Sequence, residues 1–342
     1  MPLIRFLHLT IFNYTALLPL LGLWAVQPNA PWPLITLHQL IALAYHSYAY
    51  LLNDVIDLPI DRPPPSRAAY PLVAGTISPQ TTLWIAGLSG LLAIGLTAVF
   101  LPFSALPFLL LSLGGISFYN RFGKAGLVPP PLTDFIQGCS WGCLVLFGAT
   151  SAGELNGLVW QTAVFIILYI LLVNGVNGSL RDLPNDLQAG ATTTPIWFNV
   201  RPTNPHNPEN PKPESQANLR SILTLAIPQA FRRYALLIHL LLLLLLWLPL
   251  WLGWWVQNRP FLLPLLLLLG LAAHALLWRI VHNPHKIEST KPLLMLHNII
   301  MLLLLLLQHL FILPTTARLT LIAVFILPLL TSDWLYDRLT LR

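Results

Sequence analysis

Apolar runs of about twenty residues, broken by short polar or proline-rich stretches, dominate this chain from end to end. They fall at about 6–26, 34–53, 82–101, 103–119, 132–151, 157–178, 233–256, 261–281, 293–313 and 317–336. A bilayer core takes about 20 mostly apolar residues per helix. The pattern therefore predicts an all-α membrane protein, a bundle of nine or ten transmembrane helices. The third and fourth runs are joined by almost no loop, at Leu101-Pro102. The first run has Arg5 ahead of an apolar stretch from Ile11 to Val26. That stretch is too long for a secretion signal and no small-x-small cleavage pattern follows, so it reads as a retained first helix.

Composition agrees. Of 342 residues, 56% are hydrophobic and 9% charged, against ~25% charged in an average soluble domain. The net charge of +6 reports topology in a chain this apolar, not nucleic-acid binding. With ten spans, Arg5, Arg62, Arg67, Arg121, Lys124, Arg181, Arg201, Lys212, Arg220, Arg232, Arg233, Arg279, Lys286, Lys291, Arg338 and Arg342 share one side, while Arg259 and Arg318 take the other. Lys and Arg concentrate in cytoplasmic loops, so the first side is cytoplasmic and both termini lie there. Nine spans would leave Arg338 and Arg342 outside and fit less well.

The whole chain, 1–342, reads as a single polytopic membrane domain. Residues 1–190 form a half that holds the chemical motifs, 191–221 a polar cytoplasmic loop, and 222–342 the C-terminal helices. From 197 to 221 the loop is dense in Pro and Asn, a composition that buries no apolar face and reads as flexible.

Twelve acidic residues exist, and five of them sit in two short segments at the cytoplasmic edge. The first runs Asn53-Asp54-Val55-Ile56-Asp57-Leu58-Pro59-Ile60-Asp61; the second runs Arg181-Asp182-Leu183-Pro184-Asn185-Asp186. DLPID and DLPND match at four of five positions, 125 residues apart, with four spans between them. Residues 53, 57 and 61 are four apart, as are 182 and 186, so each set lies along one helix face. Like charges at that spacing repel, and local stability does not explain them. Pro59 and Pro184 are expected to kink or end their helices. Clustered carboxylates with a carboxamide are hard oxygen ligands suited to Mg²⁺, which commonly bridges to substrate phosphate. Arg62, Arg67, Arg121, Lys124 and Arg181 lie on the same side and suit a diphosphate.

At these residues the sequence resembles the UbiA superfamily of intramembrane prenyltransferases. Asn53, Asp57 and Asp61 match its N-x-x-x-D-x-x-x-D motif, with Asp54 as a frequent companion, and Asp182 and Asp186 match its D-x-x-x-D motif. Gly190 and Thr194-Pro195 resemble the Gly and Thr that trail the second motif; Tyr119 and Lys124 resemble its Tyr and Lys after the fourth span. Where the family shows Arg-Pro-Leu, this chain has Tyr70-Pro71-Leu72, and Arg67 is the candidate substitute. The motifs cover about residues 1–200. The resemblance implies Mg²⁺ held by Asn53, Asp54, Asp57, Asp61, Asp182 and Asp186. It also implies catalysis by Asp57, Asp182, Lys124 and Tyr119, and ionisation of an isoprenoid diphosphate within a lipid-open bundle. The allylic cation then alkylates an acceptor, often an aromatic ring. Two alternatives stay open: a terpene cyclase of the same superfamily, which needs no acceptor, and a transporter using carboxylates.

Other residues are weighed individually. Asn13 and His46, with Arg62, Arg67, Arg121 and Arg181, are candidate substrate contacts; Asn174 and Asn177 read equally as cavity lining or interhelical bonds. Most of the histidines in the spans read as interhelical, since none of them forms an H-x-x-E or E-x-x-H pair. Asp134 reads as a helix cap, and Gly138, Cys139, Gly142 and Cys143 as small residues for close helix approach. Cysteines placed at Ser215 and Thr340 test the topology: both resist membrane-impermeant reagent in intact cells. External labelling at position 340 alone restores nine spans.

Overall fold

A computed structural model of the chain describes residues 2–61, 68, 70–203, 224–252, 262–282, 287–310 and 313–330. The long helices are α2 (Phe12–Val26), α3 (Trp32–Asp61), α4 (Pro79–Phe100), α5 (Leu106–Phe122), α6 (Pro130–Thr150), α7 (Gly157–Leu172), α10 (Gln229–Trp251), α11 (Leu262–His282), α12 (Ile287–Leu310) and α13 (Thr315–Leu330). Shorter ones are α1 (Pro2–Phe6), α8 (Ser179–Gln188) and α9 (Thr194–Trp197). Every apolar run coincides with a helix, and eight helical runs among the described residues are long and apolar enough to cross a membrane. Polar side chains such as His38, Gln39, His46 and Asn53 interrupt the apolar character of α3, which is 30 residues long.

Helix length fixes where the motifs fall. At 1.5 Å per residue, the 30 residues of α3 extend about 45 Å, against a hydrocarbon core of about 30 Å. Counted from Trp32, about 20 residues exhaust that core, and Asn53 comes next. The run Gly157–Gln188 repeats the pattern with 32 residues. It passes from α7 through a π turn, Val173–Gly178, into α8, and Asp182 lies beyond its twentieth residue. Both motifs thus lie towards the C-terminal ends of helical runs longer than a bilayer core requires. Neither proline ends its helix at once. Pro59 lies inside α3, which is described as far as Asp61, and α8 continues through Pro184 to Gln188. The correction has a simple cause: Pro removes one N–H and crowds one carbonyl, a local cost that a helix tolerates near its end or just after a π turn.

The described chain forms two compact units. The first gathers Met1–Arg121, Cys139–Ile166 and His309–Arg342. Within it α2 and α6 cross backbone to backbone. A Cβ on Gly22 would stand 1.9 Å from the Val145 carbonyl oxygen, and one on Gly148 would stand 1.9 Å from the Pro19 oxygen. Such close approach substitutes for the hydrophobic drive that helices lack in lipid. Helix α3 packs along α4, with Gly90 against the Tyr48 ring. Polar bonds then fix rotation. Tyr45 Oη lies 2.9 Å from Ser140 Oγ, Ser112 and Ser140 exchange hydroxyl-to-carbonyl bonds at 2.7 and 2.6 Å, and Asn120 Nδ2 donates to Ala49 O at 3.0 Å. Outward faces are apolar: Trp84, Leu88 and Leu91 of α4 are exposed, as a lipid-facing helix requires.

The second unit gathers Phe122–Gly138 and Ile167–Gln308. Gly138 of α6 meets the backbone of α7, since a Cβ there would stand 2.5 Å from Ile167 O. This is the small-residue contact expected of that segment. The polar loop is not unstructured from 197 onward. Residues Arg201–Thr203 (β1) and Thr224–Ala226 (β2) pair antiparallel, Arg201 opposite Ala226 and Thr203 opposite Thr224. The intervening 204–223 lie outside the described residues. Gly148→Ala puts a methyl group into the Pro19 carbonyl and costs about 1–3 kcal/mol as overpacking. The expected result is a lowered thermal midpoint in detergent, with Gly95→Ala, which meets nothing within 4 Å, as the unchanged control.

Candidate functional site

The first motif occupies the last turns of α3. Asn53 Nδ2 donates to Asp57 Oδ2 at 3.3 Å, so the four-residue spacing does bring these oxygen donors together on one face. Asp57 is buried at 7% exposure, and the bond from Asn53 is not its only interaction. Asp54 points elsewhere: its Oδ2 lies 2.8 Å from His8 Nε2. His8 sits before the first long helix, 46 residues away, and stacks on Tyr50 at 5.1 Å. Asp54 and Tyr70 also line one small pocket with Phe6 and Pro71, so the tyrosine at the departed Arg position adjoins the first motif. Asp61 is the last described residue of α3. Arg62 and Arg67 lie outside the described residues.

His46 and Asn13 belong to the same unit. His46 is fully buried, with Nδ1 2.8 Å from Thr15 Oγ1 and Nε2 3.1 Å from the His8 carbonyl. Both ring nitrogens are engaged, and the imidazole braces the segment that presents His8 to Asp54. Asn13, also fully buried, donates Nδ2 to Phe325 O at 3.4 Å, while its Oδ1 has no partner among the described residues. Tyr119 is half-buried on α5, and Arg121 is exposed in its last turn.

The second motif occupies α8. Asp186 is buried at 4% exposure, whereas Asp182 is half-exposed and held by its neighbour. Arg181 donates Nε to Oδ1 at 3.0 Å and Nη2 to Oδ2 at 2.7 Å. That fork covers both oxygens of Asp182, and at 49% and 44% side-chain exposure the pair opens at little cost. The helix ends in a Schellman turn. Gly190 adopts φ 67°, its N–H donates to Leu187 O, and the Ala191 N–H donates to Asp186 O at 2.9 Å. The trailing glycine is thus a C′ residue that only a left-handed conformation satisfies. Beyond it Thr192 N–H donates to Lys124 O at 3.2 Å, which ties the loop bearing Lys124 to the segment that follows the motif.

Three features were not legible as read. Asp134 does not cap α6, which begins at Pro130; it is buried and accepts from Thr194 Oγ1 at 2.5 Å. Asn177, in the π turn, donates to His297 Nδ1 at 3.1 Å, and His297 Nε2 bonds His239 Nδ1 at 3.3 Å. Asn174 bonds Gln137. Sequence signals existed for the asparagines in span six but not for their partners.

Among the described residues no three His, Cys, Asp or Glu side chains lie close enough to hold a metal ion by themselves. The first motif brings Asn53 and Asp57 into contact, and the second sets Asp182 and Asp186 four residues apart on α8. Mg²⁺ asks for no more, since it keeps several waters and takes one or two carboxylates plus phosphate oxygens. The donor set therefore fits that ion and not a soft transition metal.

These features define a polytopic helical membrane protein with two aspartate motifs on the ends of over-long helices. The UbiA prenyltransferase family model matches residues 16–205, more than half the chain. The protein belongs to the UbiA prenyltransferase family. Solved structures share its fold. A structure concerning digeranylgeranylglyceryl phosphate synthase in membranes has 18% identity and a TM-score of 0.64, covering 93% of this chain and 98% of that one. A UbiA homologue from Aeropyrum pernix K1 has 18% identity and a TM-score of 0.61, covering 88% and 98%. A UbiA homologue from Archaeoglobus fulgidus bound to GPP and Mg²⁺ has 14% identity and a TM-score of 0.63, covering 90% and 98%. No curated protein matches the chain.

Proposed function

We propose that this protein is a Mg²⁺-dependent prenyltransferase that moves the prenyl group of an isoprenoid diphosphate to an acceptor, an aromatic one in this reading, within the membrane. The observation that carries the reading is the pair of DLPxD units towards the ends of long helical runs in a UbiA family chain. The A. fulgidus homologue bound to GPP and Mg²⁺ supports the substrate class. Asn53, Asp54, Asp57 and Asp61 serve one end of the diphosphate chemistry, and Asp182 and Asp186 the other. When bound, Mg²⁺ neutralises charge that builds on the diphosphate as its bond to C1 breaks.

The chain's own residues do the rest. Asn53 orients Asp57 through its amide bond. Arg181, released from Asp182, turns its fork to phosphate oxygens, which suit a planar bidentate donor. Lys124, Tyr119 and Arg121, with Arg62 and Arg67, supply further cations and a hydroxyl to the leaving group. Heterolysis of the C1–O bond sends its electron pair to the diphosphate and leaves an allylic cation. An acceptor atom then bonds C1, and the acceptor gives up a proton. Asn13, whose buried Oδ1 lacks a partner among the described residues, is the acceptor contact in this scheme, and His46 supports it indirectly. Active-site loops face the cytoplasm of the cell membrane or its equivalent.

Replacing Asp57 or Asp182 by Ala abolishes turnover, a loss of at least about 10²–10³-fold if each removes one charge-stabilising contact. Gel filtration and the thermal midpoint stay as in the wild type, and EDTA stops turnover until Mg²⁺ is restored. Full activity in either variant, or turnover without metal, defeats the assignment. Acceptor dependence decides the reaction class. Incubation with a labelled prenyl diphosphate and Mg²⁺ yields product only when an acceptor is present, and Asn13→Ala weakens acceptor use more than diphosphate binding. A cyclic hydrocarbon formed at a rate that acceptors leave unchanged identifies a cyclase instead.

A further inference from the structure

Outside the motifs, one cavity in the second unit combines charge with room. It opens between the start of α10 and the end of α11, has a volume of about 570 Å³, and is lined by Gln229, Arg232, Arg233, Leu236, Trp278 and His282. Two guanidinium groups, an amide and an imidazole converge there, and no carboxylate lines it among the described residues. Arg232 donates Nε to Ile227 O at 3.0 Å, which fixes the plane of its guanidinium and leaves the Nη groups for a ligand. His282 bonds Trp278 O through Nδ1 at 3.1 Å and stacks on the Trp278 ring at 3.8 Å. One wall is therefore a rigid pair whose free ring nitrogen is Nε2.

The apolar half of the argument lies along the same helices. Starting from Arg233, residues 237, 240 and 244 recur four, seven and eleven positions on, hence on one face, and all three leucines are exposed. Starting from Trp278, Leu271 and Leu267 recur seven and eleven positions back, again on one face and exposed. A basic cavity at one end therefore opens onto two leucine stripes. A free anion needs the first feature only. A phosphate group with hydrocarbon tails uses both, as basic pockets between transmembrane helices use them for lipid head groups.

We propose that this cavity binds the phosphate head group of an anionic membrane lipid, with its acyl chains along the leucine stripes of α10 and α11. The site is distinct from the aspartate motifs and does not depend on the reaction assigned to them. Arg232 and Arg233 grip the phosphate, Gln229 and His282 take its remaining oxygens or the glycerol hydroxyls, and Trp278 covers the interfacial region, where indole rings favour the boundary.

The test uses the full chain purified from mixed micelles of phosphatidylcholine and phosphatidylglycerol, with retained lipid measured by native mass spectrometry. Wild-type protein retains phosphatidylglycerol preferentially. Arg233→Gln, an exposed position, lowers that retention about fivefold, and the Arg232→Gln/Arg233→Gln pair lowers it roughly 25-fold, from about 1 kcal/mol per basic residue. A double Lys variant keeps most of it. Equal retention of both lipids by the wild type overturns the proposal, as does unchanged retention in Arg233→Gln. Release of the lipid by millimolar inorganic phosphate reassigns the cavity to free anions. Stronger retention of an added prenyl diphosphate than of phosphatidylglycerol makes it a substrate site. Either result also overturns the lipid assignment.

Discussion

The reciprocal glycine contact between α2 and α6 is the constraint on which the first unit depends. In water, burying leucine drives helices together; in lipid, a leucine gains little by leaving the acyl chains for a neighbouring helix. What remains is close packing and polar bonding, and both converge on α6. Gly22 and Gly148 remove the side chains that would hold the backbones apart. The same helix then receives Tyr45 at Ser140 and His38 at Ser151, the latter at 2.7 Å. Those bonds fix the height and rotation of α3. Asn53 and Asp57 are about two and three turns beyond Tyr45 on that rod, so packing of α3 against α6 bears on where the first motif stands.

Helix length then converts a fold into chemistry. A helix that matches the bilayer ends in a loop, and a carboxylate there is free and solvated. These two helical runs overshoot, so their carboxylates remain on ordered backbone with fixed spacing. The two motifs are nevertheless prepared differently. Asp57 and Asp186 are buried, and Asp57 is oriented by an amide four residues back. Asp182 is half-exposed and already paired with a guanidinium. A buried carboxylate keeps its geometry but pays desolvation as an ion, whereas the exposed ion pair exchanges partners at a cost below about 1 kcal/mol.

The sequence revealed what depends on local order. Span positions followed from composition and the DLPxD units from their repetition, whereas Gly190 was marked only by its likeness to the family's trailing glycine, and its left-handed φ of 67° came from the fold. It could not reveal pairings set by helix packing. Nothing near Asp54 points to His8, nor anything near Asn177 to His297, 120 residues on. Asp134 looked like a cap because three prolines precede it; yet proline is comfortable in a helix's first turn, so α6 starts earlier and the carboxylate turns to Thr194 instead. The apolar run at 34–53 marked α3 but not its extension to Asp61 or the interhelical bonds its polar side chains make.

The buried histidines of the C-terminal helices show how that half contributes without motifs of its own. Asn177 Nδ2 is a donor, so His297 Nδ1 accepts and its Nε2 carries the hydrogen given to His239 Nδ1. Neutral imidazole has one N–H, which places the hydrogen of His239 on Nε2. That atom is buried and has no partner among the described residues. Each link fixes the tautomer of the next, so the chain is directional and rotating the His297 ring breaks two bonds. Asn177 also bonds the side chain of Asn298, which clamps the π turn to α12 five residues before Asp182. A π turn holds an extra residue relative to regular helix, and losing it would rotate α8 by a residue, so the bonds of Asn177 to α12 help hold the second motif in register.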